Sequence, residues 1–244
     1  MPHLAQILIL LPACDVDPTE VAFPWQVWRA GGHCVVFATP DGAPAVADPI
    51  TLGGAGLPLL ARGLRARPPA RAAHAAMVAS PEWQGPRRWS ELKAADFAAL
   101  HFPGGHGPGM RAYCDAPDVA RLAREAFAAD QPVSAICHGV LPLARAGVLA
   151  GRTTTSLTAL MERSSILLTG RALPGHYRTY PETVEAETRR AVGPAGRYVT
   201  GPLLPGYAEA TAPEAGFVVR DGPYISGRWP GDAWTLALRL GELL

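Results

Sequence analysis

The chain has few cysteines, a single lysine and no long apolar run, and each shortage excludes a class of protein. The 4 cysteines form no C-x-x-C pair, which argues against zinc-ribbon and thioredoxin-like sites. Lys93 is the one lysine, and the other basic residues are arginines. Because the formal net charge is only +1, we expect no nucleic-acid partner. The apolar segments are too short to span a membrane, so we expect no membrane partner either.

The first residues also lack the charged segment and the small-residue cleavage site of a secretory signal. Together with the sparse cysteines, this favours a cytoplasmic protein with reduced thiols. The chain has 244 residues, of which 48% are hydrophobic and 18% charged. That size and composition predict one α/β domain over residues 1–244, large enough to bury a core.

Apolar, β-branched segments alternate with helical patterns along the chain, which predicts βαβ units and a parallel sheet. The predicted strands are residues 6–11, 33–39, 97–102, 133–136, 153–156, 197–200, 217–220 and 224–226. The predicted helices are residues 19–30, 119–129, 140–146, 181–192 and 233–244. A turn at Asp221-Gly222 is typical of a hairpin.

Residues 43–95 depart from this alternation, because they are rich in proline, glycine, alanine and arginine and show weak periodicity. We expect an insertion that holds one or two short helices. It either covers the active site as a cap or is a plain surface excursion.

A nucleophile elbow is predicted at Cys137, where a short apolar strand ends and His138-Gly139 leads into a helix. Such a turn lifts the side chain out of the sheet, and the helix N-terminus beneath it is expected to stabilise a thiolate. The alternative is a buried, inert cysteine at the end of a strand.

Two further groups are expected near Cys137. His138 can act as a base or as a cation that lowers the pKa of the thiol. The glycines of Gly104-Gly105-His106 follow a strand, and their amides together with that of His138 would form an oxyanion hole. The alternative is an ordinary glycine-rich turn, in which His106 is a turn or pocket residue rather than a metal ligand.

A carboxylate and a second thiol follow the first strand. The carboxyl ends of neighbouring parallel strands share one crevice, so Glu20 is predicted to meet Cys137 there and share a proton as a general acid/base. The alternative is a solvated glutamate at a helix N-terminus. Cys14 is either a resolving thiol for oxidation of Cys137 or a small residue near a turn.

Five motifs in this order and spacing resemble the ThiJ/PfpI superfamily, which has the class I glutamine-amidotransferase-like fold. They are Thr19-Glu20 with Pro24-Trp25, then residues 30–33, 38–42, 103–107 and 135–139. The resemblance runs from the first strand to the last helix. It implies a flavodoxin-like, doubly wound, mostly parallel sheet with helices on both faces, with residues 43–95 as a small cap.

Within the superfamily, the chain looks closest to the larger, chaperone/glyoxalase III-type branch. This resemblance implies a cofactor-free and metal-free conversion of methylglyoxal to lactate, and a homodimer that binds a small-molecule substrate. Cys137 would be the nucleophile, Glu20 the acid/base, and His138 a base oriented by Glu162. Gly105 and His138 would supply the oxyanion amides.

The resemblance is incomplete at two places. The family often has paired acids where this chain has Met161-Glu162, and Arg228 replaces a commoner amide-containing segment, so its role is either in the pocket or structural. Class I amidotransferases carry a His-x-Glu pattern downstream of their cysteine. This chain lacks that pattern after Cys137, which argues against glutamine hydrolysis by that arrangement.

Three other functions stay open at this level. They are a holding chaperone with exposed tryptophans in the cap and C-terminal segments, a cysteine oxidation sensor, and an intracellular peptidase or amidase. The sensor would need Cys137 and Glu20 but not Glu162. An elbow buried under a cap argues against protein substrates.

Overall fold

The computed structural model describes residues 4–244, whose strands and helices we number in chain order. The strands are β1 (Gln6–Leu10), β2 (Cys14–Val16), β3 (Cys34–Thr39), β4 (Val46–Ala47), β5 (Arg87–Arg88), β6 (Ala99–Phe102), β7 (Val133–Ile136), β8 (Thr153–Thr154), β9 (Arg197–Tyr198), β10 (Val218–Asp221) and β11 (Tyr224–Gly227). The helices are α1 (Pro18–Ala30), α2 (Pro49–Gly53), α3 (Pro68–Val78), α4 (Pro81–Gln84), α5 (Met110–Cys114), α6 (Pro117–Ala128), α7 (Val140–Arg145), α8 (Ala159–Thr169), α9 (Val184–Val192) and α10 (Ala233–Gly241).

Seven strands form one sheet in the order β10-β11-β7-β6-β1-β3-β5. All neighbours pair in parallel except β10 and β11, which form the antiparallel hairpin predicted around Asp221-Gly222. Every residue of β6 and β7 is buried, so both faces of the sheet are covered, as a parallel sheet requires. The structure thus confirms the predicted α/β fold with a mostly parallel sheet.

Helix α1 starts at the carboxyl end of β1 because its first turn is well capped. The Asp17 carboxylate accepts hydrogen bonds from the N–H groups of Thr19 at 2.8 Å and Glu20 at 3.1 Å. Pro18 occupies the first position, where its missing N–H costs nothing. This start places Glu20 on the first turn, beside the ends of the central strands.

Two groups of helices cover the sheet: α1 packs against α3 and α10, and α7 packs against α6 and α9. Among residues 4–244, no helix is both long and apolar enough to cross a membrane.

The segment 43–95 is more structured than we expected, since it holds α2, α3 and α4 instead of one or two helices. Its second half belongs to the main core: Met77, Trp83 and Trp89 are buried there, and β5 pairs with β3 at the edge of the sheet. Only the first half, through residue 66, lies near the candidate site.

Two expectations about the C-terminal half need correction. The predicted strands at 153–156 and 197–200 are shorter, and they pair with each other in a separate sheet of β8 and β9. Helix α8 was not predicted, although Thr158 caps its start by accepting a hydrogen bond from Met161 N at 3.3 Å. Its apolar residues do not keep to one face, so the pattern that reveals an amphipathic helix is weak there.

Candidate active site

The elbow at Cys137 has the strained backbone that lifts a nucleophile from a sheet. Cys137 follows β7 and has a φ of 58°, a conformation that costs a non-glycine residue about 1–3 kcal/mol. Gly139 is required two residues later, because a Cβ at this position would clash with the carbonyl oxygens of Phe102 and Pro103. The elbow therefore packs directly against the end of β6.

Glu20 reaches the elbow from the first turn of α1. Its Oε2 accepts a 2.8 Å hydrogen bond from the backbone N–H of Gly104, whereas its Oε1 is buried and has no hydrogen-bond partner in the described part of the chain. The backbone beneath Glu20 is held by His101, whose Nε2 lies 2.9 Å from the Glu20 carbonyl oxygen. Burial, and then the nearby Asp17, raise the pKa of Glu20 well above its usual range.

The Cys137 thiol is only 1% exposed, and burial raises its pKa well above the usual range. The neighbouring Glu20 adds to this rise, while the His138 N–H, which faces the sulfur, opposes it. Burial therefore opposes the stabilisation of a thiolate by the helix N-terminus, which stays a prediction. Glu20 and Cys137 both hold their protons more strongly than usual.

The His138 ring lies beside the thiol: Nδ1 is 3.5 Å from Cys137 Sγ. Burial lowers the pKa of His138 well below its usual range, so the ring is neutral near pH 7. Its other nitrogen, Nε2, is buried without a hydrogen-bond partner among the residues of 4–244.

Among the described residues, no hydrogen bond joins Glu162 to His138. Glu162 is 1% exposed, and its Oε2 accepts a 2.9 Å hydrogen bond from Val184 N at the start of α9. Burial raises the pKa of Glu162 to about 7. The carboxyl thus ties α8 to α9, and the triad that the resemblance implied is not closed in this structure.

The glycine-rich loop after β6 contacts both reacting groups. At Gly104, a Cβ would lie 2.8 Å from Cys137 Cβ and 2.7 Å from His138 N, so no side chain fits. The Gly104 N–H already donates a hydrogen bond to Glu20, so in this state it does not donate to an oxyanion. The amides of Gly105 and His138 remain the predicted oxyanion donors.

His106 stands at the edge of the site. Its ring packs edge-on against His138 at a centroid distance of 5.0 Å and against Tyr177 at 4.9 Å. Burial lowers the pKa of His106 to about 4, so this ring is also neutral.

In the described residues, one group of side chains is placed to hold a metal ion. His106, Cys137 and His138 offer donor atoms that lie within 4.8 Å of one another. Sulfur and imidazole nitrogen are ligands that suit Zn²⁺. A metal bound there would occupy the nucleophile. The expectation that His106 is not a ligand stays a prediction.

The structure shows the surroundings of Arg228 and Cys14, two residues whose roles the sequence left open. Arg228 is fully buried, with Nε 3.0 Å from Asp232 Oδ2 and its guanidinium stacked 4.6 Å from the Phe217 ring centroid, so its contacts are structural. Cys14 lies in β2, is exposed and, like the other cysteines within residues 4–244, forms no disulfide. Its role as a resolving thiol stays a prediction.

Sequence reasoning missed the residues that form a cavity next to the site, notably Asp17, Tyr177 and Tyr207. The Asp17-Pro18 pair is a helix-start signal that could have identified Asp17. The two tyrosines lie in segments without a local pattern, so no comparable signal exists for them. Burial raises the pKa of Asp17 to about 7.

The fold and the site together define a flavodoxin-like α/β protein with a cysteine at a nucleophile elbow and a buried glutamate beside it. The sequence profile described as ThiJ/PfpI family-like matches residues 11–202, and the chain belongs to this family.

Comparisons with individual proteins agree with this assignment. The uncharacterized Schizosaccharomyces pombe protein C14C4.04 is 24% identical over 249 aligned positions, covering 98% of this chain and 84% of that protein. The Pyrococcus furiosus deglycase PfpI is 38% identical over 74 residues, which are 30% of this chain and 43% of the deglycase. Glyoxalase III from Candida albicans superposes with a TM-score of 0.64 at 19% identity, covering 99% of this chain and 98% of that one, which shows the shared fold.

Proposed function

We propose that the protein is a cofactor-independent cysteine enzyme that converts small 2-oxoaldehydes such as methylglyoxal to 2-hydroxy acids. One observation carries the proposal: a thiol, a carboxyl and a neutral imidazole meet in a single buried spot, with His138 Nδ1 3.5 Å from Cys137 Sγ. The likeness to proteins named deglycase and glyoxalase III supports a reactive carbonyl as the substrate class.

In the first step, Cys137 Sγ bonds to the aldehyde carbon, and the thiol proton passes to His138 Nδ1. The carbonyl oxygen receives a proton from Glu20, giving a neutral hemithioacetal. Because the pKa of the thiol is raised, a free thiolate is costly here, and we expect proton transfer to accompany carbon–sulfur bond formation.

In the second step, the Glu20 carboxylate removes the hydrogen of the former aldehyde carbon as a proton and delivers it to the adjacent carbon by way of an enediol, while the hydroxyl proton of the former aldehyde carbon passes to the neighbouring ketone oxygen. The former aldehyde carbon is thereby oxidised to a thioester, and the neighbouring ketone is reduced to an alcohol. Water then hydrolyses the thioester: its hydroxyl completes the 2-hydroxy acid, its proton returns to Cys137 Sγ, and the proton held by His138 passes back to Glu20. The overall reaction adds one water and needs no external oxidant or reductant.

The same geometry argues against the alternatives. An oxidation sensor needs an accessible thiol of low pKa, whereas Cys137 is 1% exposed and its pKa is raised. Of the tryptophans that a holding chaperone could expose, Trp83 and Trp89 are buried, and Trp229 and Trp234 are half-buried. The cavity beside the site, about 70 Å³ in volume, suits a small molecule rather than a peptide.

The decisive experiment measures lactate formed from methylglyoxal by the purified protein without added thiol. We expect turnover by the wild type, none by Cys137→Ala, and wild-type turnover by Cys34→Ala, which removes an exposed cysteine instead. Circular dichroism establishes that each variant is folded. Equal turnover by Cys137→Ala and the wild type, or none by a folded wild type, would overturn the proposal.

A further inference from the structure

A cavity of about 70 Å³ reaches the candidate site at His106, and some of the polar atoms that line it have no hydrogen-bond partner among the described residues. A buried water needs roughly 10–15 Å³ of such a volume, so the cavity holds about five water-sized groups. Its lining residues are Asp17, Thr19, Thr51, Gly63, Leu64, Arg65, Ala66, His106, Leu157, Met161, Ser165, Tyr177, Tyr207, Trp229 and Pro230.

Four of the lining residues bury a polar atom that has no hydrogen-bond partner elsewhere in residues 4–244. They are His106 at Nδ1, Tyr177 and Tyr207 at their hydroxyls, and Trp229 at Nε1. A buried group without a partner costs about 1–3 kcal/mol, so four around one cavity point to a ligand that satisfies them. An indole N–H can only donate, and a phenol donates readily, so the ligand must offer acceptor oxygens.

These four residues form two pairs at different ends of the cavity. His106 packs against Tyr177 and also against the His138 ring, which marks the end next to the thiol. Tyr207 packs edge-on against Trp229 at a centroid distance of 5.7 Å. Both of these residues are half-buried, whereas His106 and Tyr177 are buried, so we call the Tyr207 and Trp229 pair the outer end of the cavity.

Two arginines lie at or beside the cavity. The Arg67 guanidinium lies 3.7 Å from the centroid of the Tyr207 ring, and Arg65 lines the cavity. Within the described chain, neither arginine forms an ion pair with a carboxylate. The acid of the lining, Asp17, has its Oδ1 bound by two N–H groups of α1.

We propose that this cavity selects carbonyl compounds that carry a carboxylate at the end opposite the reactive aldehyde. The aldehyde faces His106 and Cys137, while the carboxylate accepts hydrogen bonds from Tyr207 and Trp229 near the two arginines. Methylglyoxal has no group that reaches this outer end. The inference rests on the proposed function for the reaction, but its binding part can be measured separately.

The test compares two 2-oxoaldehydes of equal chain length, 4,5-dioxopentanoate with a carboxylate and 2-oxopentanal with a methyl group in its place. We expect kcat/KM to be at least about tenfold higher for the anionic substrate, because the neutral one leaves the donors unpaired. In a doubly substituted Arg65→Gln, Arg67→Gln protein, which keeps Tyr207 and Trp229, the ratio should fall at least about threefold because the attraction to the carboxylate is lost. The matched control Arg62→Gln, an exposed arginine of the same segment outside the cavity lining, should keep the wild-type ratio.

A binding measurement separates this inference from the proposed reaction. The unreactive 4-oxopentanoate and its neutral counterpart 2-pentanone are titrated calorimetrically into Cys137→Ala, with and without the two arginine substitutions. Binding of 4-oxopentanoate that depends on the arginines supports the cavity assignment even if no substrate is turned over. A wild-type kcat/KM ratio near one, or equal binding of the two ketones, would overturn it.

Discussion

The backbone N–H of Gly104 donates a 2.8 Å hydrogen bond to Glu20 Oε2, and through this bond the loop after β6 holds the proposed acid/base beside the thiol. A Cβ at Gly104 would stand 2.8 Å from Glu20 Oε2, 2.8 Å from Cys137 Cβ and 2.7 Å from His138 N. The absence of a side chain at this position therefore allows the three groups to meet.

We expect Gly104→Ala to reduce turnover by at least about 100-fold, because the loop must move away from Glu20 and Cys137. Overpacking should also lower the free energy of unfolding by about 1–3 kcal/mol. Steady-state kinetics and urea denaturation measure the two effects. Gly53→Ala is the matched control, since nothing lies within 4 Å of the added carbon and neither quantity should change. Full activity in Gly104→Ala would contradict the geometry.

We predict that Glu20→Gln lowers kcat by about 10²–10⁴-fold, because the amide still accepts the Gly104 hydrogen bond but carries no transferable proton. Burial raises the pKa of Glu20, so its charging disfavours the folded state as the pH rises. The variant should accordingly melt no lower than the wild type at pH 8. Calorimetry and kinetics, with the exposed Glu91→Gln as control, test this. A nearly unchanged kcat would remove Glu20 from the mechanism.

We expect Glu162→Gln to keep kcat within about threefold of the wild type, since Glu162 bonds to Val184 N and not to His138. Glu162→Ala, which leaves that N–H unpaired, should lower the free energy of unfolding by about 1–2 kcal/mol. If instead Glu162→Gln cost 100-fold in kcat at unchanged stability, Glu162 would act on His138 after all.

The same glutamate should contribute to the pH dependence of stability. Its pKa rises from 4.5 to about 7 in the folded protein, so its contribution is present below pH 4.5 and is lost as the pH rises through 7. Glu162→Gln should remove this component. Urea unfolding at pH values between 5 and 8 measures the change in slope relative to the wild type.

We expect the histidines to fall into two groups, one with a lowered and one with a raised imidazole pKa. Burial lowers the pKa of His101 and of His106 to about 4, whereas the hydrogen bond to Asp48 raises that of His176 above its ordinary value. At pH 6 we expect His176 to be charged and the other two neutral, which ¹⁵N-detected NMR of the imidazole rings reports. Protonation of His106 above pH 6 would contradict its burial.

We expect Zn²⁺ to inhibit turnover reversibly, because His106, Cys137 and His138 can bind it together and thereby occupy the nucleophile. His106→Ala should weaken this inhibition at least about tenfold, and EDTA should restore activity. His33→Ala removes a histidine far along the chain from this group and should be inhibited like the wild type. Equal zinc sensitivity of the two variants would exclude His106 as a ligand.

The sequence by itself determined the strand–turn–helix shape around Cys137, the parallel sheet and the position of Glu20 at a strand end. These features depend on periodicity, on turn residues and on the rule that parallel strands end at one edge, all of which act over short stretches of chain. The tertiary structure alone decided the partner of Glu162, the burial of the thiol and the cavity lined by Tyr177 and Tyr207. Hydrogen-bond partners, burial and cavity walls arise from contacts between segments far apart in the chain, which no local pattern records.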